Sequence, residues 1–118
     1  MRDHKKLRAF EGADQLAMVT YKQTTSLPRD ELFGLVSQMR RAAVSVASNI
    51  VKGCARSSTI EYVRFLEVAY GSARELEYQI FLSERQYPAS ASSEWSLLAT
   101  ESCKVLNGLK RALREKES

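Results

Sequence analysis

Arg40, Arg41, Lys52 and Arg56, followed by Lys110, Arg111 and Arg114, are the residues of this sequence best suited to chemistry. That chemistry is phosphate binding, because guanidinium and ammonium groups that neutralise phosphates release condensed counterions. At helical spacing Arg41, Lys52 and Arg56 fall along one side of a helix, and Lys110 with Arg114 forms an i,i+4 pair. The plainer alternative is a solvated face whose arginines pair with Glu61, Glu75, Glu77 or Glu101. Two readings also fit the polar group Ser45, Ser48, Asn49, Ser72 and Glu75. It could line a small ligand site between two helices, or form a hydrogen-bonded network that fixes their register, with Asn49 donating across to Ser72 or Glu75. The network is preferred, because small residues at a helix crossing close a pocket rather than open one.

Catalysis finds no support in the motifs. The only histidine, His4, stands in an N-terminus expected to be mobile, and Glu75 and Glu77 diverge around a helix. No HExxH, Glu-x-x-His or glycine-rich phosphate loop occurs. Cys54 and Cys103 are isolated, without CxxC or metal-ligand spacing, and read as reduced thiols of a cytoplasmic protein. No catalytic residue, metal or cofactor is expected.

The elements that must position these residues are helices. A chain of 118 residues with 44% hydrophobic and 27% charged content, 5 glycines and 2 prolines suits a single all-α domain. Its formal charge of +4 permits nucleic-acid contact without requiring it. Neither a signal peptide nor an apolar run of membrane-spanning length is read from the sequence. Helices are predicted over about 6–24, 29–53, 59–86 and 93–114. The first carries the stripe Leu7, Phe10, Ala13, Leu16, Ala17 and Thr20. The second is expected to be one continuous helix with the seam Leu32, Val36, Met39, Ala43, Val46, Ile50 and Gly53. Ser58 and Glu61 predict a capping box at the third, whose stripe is Tyr62, Leu66, Ala69, Ala73, Leu76 and Ile80. Gly71-Ser72 within it predicts a close helix crossing. In the fourth, Leu98, Val105, Leu109 and Ala112 are expected to face the core, widened by Trp95, Leu97, Leu106 and Leu113. Short links make an antiparallel up-and-down four-helix bundle the predicted architecture. Phe33, Val44, Val51, Val63 and Tyr70 lie off the seams and are candidates for an interface between bundles.

The run from Leu27 to Gln79 resembles the bacterial four-helix-bundle proteins encoded in intervening sequences of large-subunit ribosomal RNA genes. The resemblance is carried by Pro28, Glu31 and Gly34-Leu35, then Gln38-x-Arg40-Arg41-Ala42-Ala43-x-Ser45 and Ser48-Asn49-Ile50. It continues through Gly53, Arg56, Ser58, Phe65-Leu66, Gly71-Ser72 and Glu75-Leu76-Glu77. One position departs: Lys52 stands where the family pattern is acidic. The resemblance implies a four-helix bundle and a homo-oligomeric ring of five subunits, with nucleic-acid binding suspected. Five copies would multiply the +4 about fivefold on one rigid body, enough to engage phosphates. With the aromatic residues Phe10, Phe65, Phe81 and Trp95 expected on apolar stripes, binding should follow backbone and shape rather than bases. The expected function is therefore self-assembly with binding of structured RNA or other nucleic acid. The alternative is a protein–protein scaffold or adaptor, and no membrane partner is expected.

Overall fold

Tyr62, Leu66, Ala69, Ala73, Leu76 and Ile80 step by four and three along α3 (Thr59–Gln86), and every one of them is buried. Around this stripe a computed structural model, which describes residues 2–117, folds the chain into an antiparallel up-and-down four-helix bundle. The other helices are α1 (Arg8–Thr24), α2 (Ser37–Cys54) and α4 (Ser93–Glu117). Consecutive helices pack together and α1 closes the bundle against α4, within 46 × 20 × 20 Å. The core lies in two stacked clusters. One centres on Ala13, Val46, Ile50, Tyr62 and Leu66, and the other on Leu16, Met39, Leu76, Ile80 and Trp95.

Local chemistry sets the helix ends. The Thr25 and Ser26 hydroxyls donate to the carbonyls of Lys22 and Gln23, both at 2.7 Å, and so compete with the helical bonds that would prolong α1. Ser58 caps α3 by accepting from the Glu61 N–H at 3.1 Å. Among the described residues the reciprocal Glu61 arm is not formed, so the expected capping box is half a box. At the other end of α2, Gly53 sits where an added Cβ would lie 3.0 Å from Phe65 Cβ and from Tyr62 Cδ1. Here glycine admits a close approach of α3. The close crossing expected at Gly71-Ser72 runs through Ser72, whose Oγ lies 2.8 Å from Ser45 Oγ on α2, whereas Gly71 itself is exposed, with nothing within 4 Å of a Cβ built there.

Two expectations need correction. The segment 29–53 is not one α-helix. A 3₁₀ turn (Arg29–Glu31) and a π turn (Leu32–Val36) precede α2. Gly34, at φ −112° and ψ −107°, leaves helical geometry there, and the Glu31 carboxylate accepts from the Leu35 N–H at 3.4 Å. The extra residue in this wide turn rotates Leu32 off the seam, where it is 46% exposed. In α4 the expected Leu98, Val105 and Leu109 pack half-buried against the core, but the fully buried line runs beside them. Trp95, Ala99, Cys103, Leu106 and Lys110 are buried, whereas Leu97 is 68% exposed and Ala112 is exposed. Trp95, the largest fully buried side chain, sets this rotation through its indole N–H, which donates to Thr20 Oγ1 at 2.9 Å.

Candidate functional site

The outward face of α2 carries Ser37, Arg41, Val44, Ser48 and Lys52, which recur every three or four residues. With Tyr21 from α1 and with Leu32 and Phe33 from the π turn, these residues line an open groove of about 710 Å³. Arg40, Ser45 and Asn49 form its flanks. The groove therefore unites residues expected to serve different ends: the cations Arg40, Arg41 and Lys52, the polar Ser45, Ser48 and Asn49, and the apolar Phe33 and Val44. Phe33 is 93% exposed.

The cations differ sharply in their surroundings. Arg40 is tied to the C-terminal end of α1: its Nε donates to Thr24 Oγ1 at 3.0 Å and its Nη2 to the Tyr21 carbonyl at 3.4 Å. A guanidinium at that end also offsets the negative pole of the helix. Arg56 lies over the Phe65 ring, 4.7 Å from the centroid. Lys110 leaves the expected basic surface altogether. It is 5% exposed, with its ammonium 3.9 Å from the Tyr70 centroid and 3.5 Å from Glu67 Oε1. Burying an ammonium requires such partners. The same Glu67 carboxylate pairs with Arg114. Arg111 lies beside Asn107 and Arg114 towards the end of α4 and does not line the α2 groove. Arg41 and Lys52 are exposed, and among the described residues they enter no ion pair, hydrogen bond or ring contact. Eleven residues apart on one side, they span about 16 Å of helix axis.

The polar residues form a short chain. Asn49 Nδ2 donates to the Ser45 carbonyl at 2.8 Å and to Ser45 Oγ at 3.0 Å, and Ser45 Oγ shares a 2.8 Å hydrogen bond with Ser72 Oγ on α3. Asn49 thus reaches Ser72 through Ser45 rather than directly. Its Oδ1 and the Ser48 hydroxyl have no partner among the described residues. Glu75 is exposed; it lines a second, shallow cleft with Gln38, Arg41, Ser45 and Ser72. Of the candidate interface residues, Val51 and Val63 are half-buried, and Tyr70 is half-buried beneath Lys110.

Some positions escaped the sequence reading. The N-terminus is strapped down: the Arg2 N–H donates to the Cys54 carbonyl at 2.9 Å, and its guanidinium lies 4.1 Å from the Tyr62 centroid. His4 stacks edge-on against Phe10 at 4.7 Å. Tyr87 donates to Glu31 Oε2 at 2.5 Å, which links the π turn to the α3–α4 connection. That bond holds the phenol above its ordinary pKa. Cys54 and Cys103 are free and buried. Burial first, then the neighbouring Glu77 carboxylate, pushes the Cys103 thiol up to about 11. Burial likewise raises Cys54, and it pushes the Tyr62 phenol up to about 12, with Cys54 adding to the effect. Neither thiol has the low pKa of a reactive cysteine. Among the described residues no cluster of His, Cys, Asp or Glu could hold a metal ion, and no helix is long and apolar enough to cross a membrane.

A comparison with curated proteins found no match. A family model described as "23S rRNA-intervening sequence protein" matches residues 5–108.

Proposed function

The chain belongs to the 23S rRNA-intervening sequence protein family, and from that membership and the α2 groove we propose a non-enzymatic, cytoplasmic protein that self-assembles and binds structured RNA. The observation that carries the reading is the pair Arg41 and Lys52, exposed on the outer line of α2 without acidic partners while neighbouring cations are engaged within the fold. Unpaired cations give the largest gain on meeting phosphate, since no intramolecular pair must break. Lys52, the residue that departs from the family pattern, adds to this surface.

Self-assembly, into a ring of five as the resemblance implies, would repeat the groove on each copy. Phe33 and Val44 share the groove with the two cations, so a contact between copies there would cover the phosphate-binding side chains. The outer face of α3 is the better place for it. Gly71 there costs about 1 kcal/mol of helix stability relative to alanine with no contact inside the chain to offset it. Exposed Val68 and Tyr78 flank it on the same face.

The test is binding of a fluorescent rRNA hairpin from low to physiological salt. Wild type should lose affinity steeply with salt, and Arg41→Glu/Lys52→Glu should abolish most binding at unchanged assembly mass. Each lost phosphate contact should flatten the salt slope by about one. No binding by wild type at low salt would overturn the reading. The exposed apolar residues Leu32, Phe33 and Val44 favour the second reading, a scaffold for another protein. A partner retained by wild type at high salt and lost on Val44→Asp would establish it.

A further inference from the structure

Phe33 distinguishes the α2 groove from a plain basic surface. Its ring is 93% exposed, raised on a π turn that the Glu31 carboxylate braces through the Leu35 N–H and the Tyr87 hydroxyl. The same groove holds Tyr21, whose ring centroid already lies 4.8 Å from the Arg40 guanidinium, which leaves Phe33 as the open face. It also holds the cations Arg41 and Lys52, and two side-chain oxygens, Asn49 Oδ1 and the Ser48 hydroxyl, with no partner among the described residues. Aromatic faces beside unpaired cations are what single-stranded nucleic acid requires, because bases stack on the rings while the cations follow the backbone. A paired A-form helix buries its bases in the stack and offers an exposed ring nothing planar to cover. Charge complementarity selects an anionic occupant, and the ring selects one carrying flat apolar surfaces.

We infer that the groove takes an unpaired segment of RNA, with a base stacked on Phe33 and its phosphates on Arg41 and Lys52. This rests on the RNA-binding reading and narrows it, from structured RNA in general to the loops, bulges or ends of such RNA. It also replaces the expectation of recognition by backbone and shape alone: the Phe33 ring is outside the core, and Phe81, too, is exposed beneath the Arg85 guanidinium. Ser48 and Asn49 Oδ1 are the groups positioned to hydrogen-bond a base edge.

The experiment compares oligouridylate, an RNA duplex of equal length and inorganic polyphosphate, which has charge but no bases, on the full-length protein. Anisotropy follows the two labelled RNAs, and displacement of labelled oligouridylate follows polyphosphate. Phe33→Leu, at an exposed position, keeps the fold and removes the ring. The expected result is tighter binding of oligouridylate than of duplex, with Phe33→Leu weakening oligouridylate about tenfold, the loss of one stacked base. Duplex and polyphosphate should be unaffected by that change. If Phe33→Leu alters nothing while Arg41→Glu/Lys52→Glu weakens all three, stacking is overturned and the broader RNA reading stands. If neither RNA binds at low salt, both fall. A drop in assembly mass on Phe33→Leu, seen by light scattering, would make this face a contact between copies. Displacement of RNA by an acidic aromatic peptide, with the same dependence on Phe33, would assign the groove to a protein. Either result overturns the inference.

Discussion

The indole N–H of Trp95 donates to the Thr20 hydroxyl at 2.9 Å, that hydroxyl donates to the Leu16 carbonyl at 2.7 Å, and both side chains are fully buried. Replacing Thr20 with valine keeps the shape and strands the indole donor, so Thr20→Val should cost about 1–3 kcal/mol in urea unfolding, with Thr20→Ser losing less. The buried thiol and phenol act on stability through pH. Their pKa values are raised in the folded state, so the neutral form is favoured there, and the unfolded chain releases those protons first. Stability from Cys103 is fully present below pH 9, the thiol's ordinary pKa, and declines as pH rises towards about 11; for Tyr62 the decline runs from 10 to about 12. The urea midpoint should therefore fall across the alkaline range, and Cys103→Ala should flatten the part of the fall that begins near pH 9. An unchanged pH dependence in that variant would show that the thiol stays protonated in both states or ionises equally in both.

Among the helices, α3 was read from its sequence almost residue for residue, because its stripe keeps strict alternation of four and three with apolar side chains throughout. The buried line of the fourth helix runs beside the expected stripe: only Leu106 of its leucines is fully buried, and the rotation is decided by one tryptophan reaching a threonine 75 residues away. Such a long-range polar bond has no local periodicity to announce it. The same holds for Lys110, which takes a core-facing position because Tyr70 and Glu67 on α3 receive its charge. In the groove, the outward spacing of Arg41 and Lys52 was legible, whereas the engagement of Arg40 by Thr24 and of Arg56 by Phe65 required the packed neighbours. Glycines make the difference between local and packed effects measurable. Gly53→Ala drives a methyl against Phe65 and Tyr62 and should destabilise by about 1–3 kcal/mol. Gly71→Ala meets open space and should stabilise the subunit by about 1 kcal/mol. Denaturant titration of the two variants side by side gives opposite shifts of midpoint.

At the scale of the whole molecule, proposed RNA affinity depends on how many grooves one assembly presents. Gly71→Arg places a long charged side chain on the outer face of α3 and should reduce the assembly to folded single subunits by sedimentation. Losing multivalency should then weaken binding to a long RNA about a hundredfold while leaving a short oligonucleotide unaffected. An assembly mass and a long-RNA affinity unchanged from wild type would place the self-contact elsewhere. The π turn has a consequence of another kind. A turn bonded i to i+5 holds one residue more than the α-helical turn it replaces, so Leu32–Val36 behaves as a single-residue insertion that the bundle absorbs before α2 begins. Deleting Gly34 would swing Leu32 back to the seam and carry Phe33 about 100° around the axis, out of the groove, while every core position from Ser37 onward keeps its place. A homologue aligned to this chain with a one-residue gap at that point would share its bundle and lack its exposed aromatic, so a gap easily dismissed as alignment noise would mark a change in what the surface can hold.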